Sequence, residues 1–321
     1  MITKQYVKQM WQEAIAECAK GNNKKPDGST YLYIRAYIGD VGDRPIPPDT
    51  VGWLSPDIKI LDSHSLPITT GEIIAGTPYV INVTVTNDGD VDCFSSTVEL
   101  YIIDPIIGFC DITSNIGCQT VEILAHSKTD VQFNFQPSNV LGHKCLIARV
   151  YSLFTNDFPL DWQSFSACND RHIAQHNLTI IAQSKTISFD LNPGKIFEGK
   201  DLELSFQVDT KVVDNLDIPK IAKYTIRTEP VDFASFKVLK VAKKGSPKSS
   251  LNNEKLKRTQ VKMGKNNTWA FKKVKKETSI IHIEIPSLNL RRNDALPINL
   301  NVIEKSSGHI VGGITLFVVG E

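Results

Sequence analysis

Tyr79-Val80-Ile81-Asn82-Val83-Thr84-Val85-Thr86-Asn87-Asp88-Gly89-Asp90-Val91-Asp92-Cys93-Phe94-Ser95-Ser96-Thr97-Val98-Glu99-Leu100-Tyr101-Ile102 decides the fold of the first half of this chain. Tyr79, Ile81, Val83 and Val85 alternate with Val80, Asn82, Thr84 and Thr86. That period of two, rich in β-branched residues, predicts a half-buried strand. Asn87-Asp88-Gly89-Asp90 follows as a turn, in which Gly89 can adopt a positive φ. A second run then places Val98, Leu100 and Ile102 on one face. Strand, polar turn, strand is the unit of an antiparallel sandwich.

The same pattern recurs downstream. Strands are predicted at 79–86, 95–103, 119–124, 129–135, 144–152 and 177–182, the last closing a first sandwich. Lys59-Ile60-Leu61 reads as an edge strand. Upstream, Tyr6, Val7, Met10, Trp11, Ala14, Ile15 and Cys18 recur at three and four, so residues 2–20 are predicted to form a helix with one apolar stripe. Thr3 suits its N-cap and Gly21 the position after its end. The stripe can dock on a neighbouring sandwich or on a partner. Residues 39–54 are dense in Gly and Pro and predict an extended, irregular arm.

Residues 183–321 read as a second all-β unit. Its clearest part is a hairpin, 296–303 and 310–319, joined by Glu304-Lys305-Ser306-Ser307-Gly308. Between Phe236 and Glu277, many lysines and Arg258 face only Glu254 and Glu277. Strand-like ends, 236–241 and 269–274, predict a long basic hairpin with a polar middle.

A length of 321 residues suggests about two domains, at roughly 100–200 residues each. Formal net charge is +1, so no global charge points to nucleic acid or membrane. No apolar run is long enough to span a bilayer. The first residues lack an apolar signal region, which predicts a cytoplasmic protein, with leaderless export as the alternative. The six cysteines are then expected as thiols. Cys110 and Cys118 flank a short loop and are close enough in sequence to pair.

Several motifs resemble one family. The Asn87-x-Gly89 turn, the strand Cys145-Leu146-Ile147-Ala148-Arg149-Val150, the lead Asn169-Asp170-x-x-Ile173-Ala174-x-x-Asn177-Leu178 and the opening Ser55-Pro56-Asp57-Ile58 are similar to the CARDB domain. This is a bacterial, Ig-like, cell-adhesion-related module. The resemblance spans about residues 55–182. It implies an Ig-like fold and a binding or spacer role, and it carries over no catalytic residues.

Chemistry-bearing groupings are few. Asp88, Asp90 and Asp92 offer oxygens at alternate positions, as calcium loops do, but no bidentate Glu follows at the required distance; a solvated turn is the plainer reading. His172 and His176, near Asp170, would share a helical face and suit zinc, yet lack a third protein ligand. His143 and Cys145 fall on one side of a strand and could join Cys110 or Cys118 in a thiolate site. No nucleophile elbow, phosphate loop or dinucleotide fingerprint occurs.

The expected architecture is all-β: two tandem Ig-like β-sandwiches with a short N-terminal helix. Residues 1–54 form the helix and arm, 55–182 the first sandwich, and 183–321 the second, with its basic hairpin. The expected role is a non-catalytic protein-binding or assembly component. Its contacts would be Tyr6, Met10, Trp11, Trp53, Lys243, Lys244, Lys257, Arg258 and Trp269. A protein partner or self-association is expected, with an acidic partner at the basic hairpin and nucleic acid disfavoured; no cofactor is expected. Two alternatives stay open. One is a carbohydrate- or surface-binding accessory module using Trp53, Trp162 or Trp269. The other is an enzyme with an unrecognised site.

Overall fold

The computed structural model describes residues 28–320, except 48–49, 112–113, 139–143, 211–217, 229, 242–257, 265–267 and 276–277. The predicted helix over 2–20, with Tyr6, Met10 and Trp11, lies outside the described residues. So do Lys243, Lys244, Lys257 and His143.

Among the described residues the regular structure is almost entirely β. Its first part contains β1 (Leu32–Tyr33), β2 (Ile58–Leu61), β3 (Pro67–Ile68), β4 (Tyr79–Asn87), β5 (Cys93–Ile103), β6 (Ile106–Gly108), β7 (Cys110–Asp111), β8 (Asn115–Ile123), β9 (Ser127–Phe135), β10 (Cys145–Tyr151), β11 (Ser164–Phe165), β12 (Ile173–His176) and β13 (Leu178–Ala182). There follow β14 (Thr186–Asn192), β15 (Leu202–Val208), β16 (Thr225–Ile226), β17 (Lys237–Val241), β18 (Arg258–Gln260), β19 (Thr268–Phe271), β20 (Ser279–Glu284), β21 (Asp294–Glu304) and β22 (Ile310–Val319).

A first sheet is built on β4, flanked by β9 on one side and by β1 and β2 on the other, with β3 beyond β2. A second sheet runs β12-β10-β5-β8. The two are packed face to face. Tyr79, Ile81, Val83 and Val85 of β4 meet Val98 and Leu100 of β5 and Leu146, Ala148 and Val150 of β10 in one core. The alternation read from the sequence therefore names the buried face. Gly89 corrects one detail. Its φ is not positive; instead a Cβ there would lie 2.2 Å from the Ser29 carbonyl oxygen. The turn needs glycine for close approach of the arm.

A third sheet runs β13-β22-β21-β15-β19, with β16 also on β21, and a fourth runs β18-β17-β20-β14-β6. They enclose a second core that includes Phe189, Leu204, Phe206, Trp269, Ile283, Leu300 and Leu316. The β21–β22 hairpin is antiparallel, as expected.

Two expectations are corrected here. The strand at 177–182 does not close the first sheet pair: β13 pairs in parallel with β22 in the third sheet. β6, from the first half of the chain, likewise pairs in parallel with β14 in the fourth. The basic stretch is also no simple hairpin. β17 pairs with β18 and β20, while β19 pairs with β15 in the opposite layer. The reason is apolar: Val238 on β17 and Trp269 and Phe271 on β19 enter one core from its two sides.

The Gly/Pro-rich arm is packed onto its own chain. Ile46, Trp53 and Leu54 join Leu178, Ala295, Ile310 and Phe317 in a cluster over the third sheet. The Trp53 indole N–H donates to Thr315 Oγ1 (3.0 Å), whose hydroxyl donates to Asn299 Oδ1 (2.7 Å). Asn177, fully buried, locks this junction. Its side-chain amide donates to the carbonyls of Ile106 and Gly313, and its backbone N–H donates to the Trp53 carbonyl.

The Trp53 ring also covers Gly313, where a Cβ would lie 2.5 Å from three ring carbons. Gly313→Ala is expected to destabilise the protein by about 1–3 kcal/mol, the usual range for overpacking. Urea denaturation checks this through a lowered midpoint at an unchanged slope.

Candidate functional site

Three turns and the arm meet at one end of the first sheet pair, and buried polar side chains hold them in place. Asn87, at the end of β4, is completely buried. Its Oδ1 accepts from the backbone N–H of Tyr31 (3.1 Å) and of Gly89 (3.2 Å). Its Nδ2 donates to the carbonyls of Val91 (2.9 Å) and Ile123 (3.2 Å). One amide thus ties the arm, the β4–β5 turn and the β8–β9 turn together. Asp92 adds a second tie by accepting from the Ala125 N–H at 2.7 Å.

The third turn follows β10. Ser152 and Asp157 exchange backbone hydrogen bonds and close the turn Leu153-Phe154-Thr155-Asn156. Thr30 Oγ1 donates to Thr155 Oγ1 at 2.8 Å and joins it to the arm. Beneath it lies a buried charge network. Asp157 Oδ2 accepts from the Leu32 N–H (2.7 Å), and its Oδ1 accepts from Arg171 (2.6 Å) and faces His172 Nε2 (2.8 Å). His172 Nδ1 faces Asp170 Oδ1 at 2.8 Å. The Arg171 guanidinium also stacks on Tyr31, 4.4 Å from the ring centre.

Behind this network, Arg149 is surrounded by the rings of Tyr101, Tyr151, Trp162 and Phe165 and is paired with Glu99. It also donates to the Trp162 carbonyl at 3.2 Å. The connection from β10 to β12 is therefore anchored along its length.

On this fixed base the outermost side chains are apolar. Phe154 is 83% exposed, Phe94 71% and Leu153 63%. Leu124 and Val91, in the other two turns, are also exposed. Strand register sets their chain segments at the same end of the second sheet: Tyr151 opposes Thr97, so the chain beyond β10 continues past the start of β5, and Cys93 opposes Ile123, next to Leu124. Carboxylates border the patch. Asp90 lies 3.1 Å from His126 Nε2 and accepts from the Gly28 N–H, and Asp88 lies 3.8 Å from His126 Nδ1.

Asp88, Asp90 and Asp92, the calcium candidates, thus fasten the turns and border the apolar patch. Among the described residues no group of three or more His, Cys, Asp or Glu side chains is placed to hold a metal ion. His172 and His176 sit on no helix. His172 is spent on two carboxylates and His176 Nδ1 faces the Ser55 carbonyl. Cys110 is buried and Cys118 exposed, and both are free thiols. Trp53 and Trp269 are 2% and 1% exposed, and this corrects their assignment as partner contacts. Both fill cores that their own chain needs filled. Arg258 opens β18. Sequence reasoning passed over Phe94, Leu153 and Phe154. Two adjacent apolar residues directly before Thr-Asn-Asp were the available signal, because that polar run is turn chemistry.

Burial is the strongest single influence on Asp157 and pushes its pKa up. The hydrogen bond and charge of His172, the Arg171 charge and the Leu32 N–H together outweigh it and hold Asp157 at about 2. For His172, burial and then Arg171 press the pKa down. The two facing carboxylates overcome them and keep it above the ordinary 6.5.

No protein-family model matches the chain, and no curated protein matches it. Among solved structures, the chain is similar to the CARDB domain of a Pyrococcus furiosus protein solved in complex with di-metal ions. That match has 15% identity and a TM-score of 0.28, and it covers 49% of this chain and 92% of that one. A solution structure of the same domain matches at 16% identity and a TM-score of 0.25, over 37% of this chain and 90% of that one. The C-terminal domain of the Streptococcus pyogenes antigen I/II-family protein AspA matches at 7% identity and a TM-score of 0.24, over 81% of this chain and 98% of that one.

Two outcomes are expected. Asn87→Ala leaves the buried Tyr31 N–H and Ile123 carbonyl without their partner, so stability falls by at least ~2 kcal/mol in chemical denaturation. Stability should also depend on pH on both sides. Protonated His172 contributes fully below its unfolded value of 6.5, and the contribution is lost as pH rises through its raised folded value. Asp157 contributes above 3.8, and that contribution is lost as pH falls toward about 2. Denaturation midpoints for wild type and His172→Gln across this range check the alkaline limb, which the variant should flatten.

Proposed function

We propose that this chain is a non-catalytic protein-binding component of tandem Ig-like sandwiches, preceded by a short helix, that engages its partner through the loop end of the first sandwich. The carrying observation is Phe154, 83% exposed at the tip of a turn that Asp157, Thr30 and the ring-enclosed Arg149 hold rigid. A large apolar side chain on a preorganised base contributes to binding because little ordering cost remains to be met. Large apolar side chains exposed together mark interaction surfaces.

Two features support protein recognition over the alternatives. The tryptophans that a carbohydrate platform would use are engaged within the chain: Trp53 and Trp269 are buried, and Trp162 packs on Arg149 and Tyr151. Among the described residues, the buried His172–Asp157–Asp170 constellation has both ring nitrogens occupied, so His172 has no nitrogen to offer a substrate proton.

A photo-crosslinking residue at position 154, introduced in the native cell, tests this. A discrete protein adduct is expected, lost in a Phe94→Asp background whose denaturation midpoint is unchanged. No adduct from position 154, with an efficient internal control, would sink the proposal.

A further inference from the structure

We infer that the second core carries a docking surface for an anionic lipid bilayer, built where three connections meet: residues 193–201 between β14 and β15, 272–275 after β19, and 305–309 between β21 and β22. It lies apart from the loop end of the first sheet pair and goes beyond the function proposed for that end.

Strand register places the three connections together. Leu202, which opens β15, opposes Phe271 at the end of β19 on one side and Glu304 at the end of β21 on the other. Backbone bonds then join the connections beyond the sheet. The Gly199 N–H donates to the Val274 carbonyl (2.8 Å), and the Val274 N–H donates to the Lys200 carbonyl (2.9 Å). The Asp201 carboxylate accepts from the Lys273 N–H (2.8 Å), and the Asp201 carbonyl accepts from the Lys305 N–H (2.9 Å). Phe197 and Val274 are buried in the core beneath and pin both segments.

What this fixed base presents is positive. Lys195, Lys200, Lys272, Lys273, Lys275 and Lys305 gather there, against Glu198 and Asp201 within the same three segments. Lys305 is paired with Glu203 at 2.7 Å. The other lysines are exposed, and none of them forms an ion pair among the described residues. Like charges crowded on adjoining segments repel one another, and an anionic surface relieves that repulsion. Ile196, between Lys195 and the buried Phe197, is 60% exposed, so the same turn also offers an aliphatic side chain.

The chemistry favours a bilayer over other anions. These segments hold no arginine, and lysine is a point charge that does not select the planar geometry a guanidinium reads. Phe197 is buried, which leaves no Phe, Tyr or Trp ring in these segments for nucleic-acid bases to stack on. A fluid layer of anionic headgroups needs neither feature. Each lysine near it raises affinity about fivefold, and an aliphatic side chain enters the interface beside them.

Cosedimentation of the purified full chain with phosphatidylcholine vesicles, with and without phosphatidylserine, tests this. Binding is expected only with phosphatidylserine and falls steeply as salt is raised. Lys200→Gln/Lys272→Gln/Lys275→Gln should weaken it about 100-fold at an unchanged denaturation midpoint. Phe94→Asp, at the loop end, should leave it as in wild type. Ile196→Trp should add fluorescence quenching by brominated phosphatidylserine beyond that of wild type. Absence of binding to either vesicle, binding that survives the triple substitution, or no added quenching from position 196 would each overturn the inference. Binding to immobilised polyglutamate as tight as to the phosphatidylserine vesicles would assign the surface to an acidic protein instead.

Discussion

A backbone polar group removed from water must be given a partner, and irregular chain has no ladder to provide one. In this protein that constraint falls on a few buried side chains. Asn87, Asp157 and Asn177 each satisfy backbone groups from segments far apart in sequence. Where they act, loops behave as rigidly as strands. The loop end of the first sheet pair and its junction to the second core both depend on them.

The junction shows how far this goes. The chain does not finish one pair of layers before beginning the next. β6 and β13 leave the first half and pair in parallel within the fourth and third sheets. Parallel pairing needs a long crossover, which the intervening chain supplies. The Gly/Pro-rich arm covers the outer face of the third sheet, which explains why β21 and β22 are buried on both faces. An arm that composition marks as irregular becomes a core element because Trp53 and Ile46 supply the apolar surface that face requires.

The same economy shapes the loop end. His172, between Asp157 and Asp170, resembles the hydrogen-bonded side chains of catalytic sites, yet both its nitrogens face inward to carboxylates and its ring is buried. Arg149 sits among aromatic rings of the kind that recognise cationic ligands, but the cation is the protein's own. These groups make a stiff support. What that support presents to the outside is Phe154, Leu153 and Phe94.

The period-two patterns of 79–85 and 98–102, the strands of the first half and the final hairpin were legible in the sequence, because alternation follows from the pleat and needs no knowledge of neighbours. So was the importance of the Asn87-Asp88-Gly89 turn, though not its reason. Which sheet a strand joins was not legible: Leu178–Ala182 and Thr268–Phe271 have the same local pattern whichever layer receives them. Nor was the fate of each aromatic side chain. Trp53 and Trp269 are buried because segments distant in sequence close over them, around Gly313 and Thr315 for the one and Leu204 and Phe206 for the other, whereas Phe94 and Phe154 are left exposed. Local periodicity fixes which residues become strands. Only the packing of distant segments decides which faces remain for another molecule to touch.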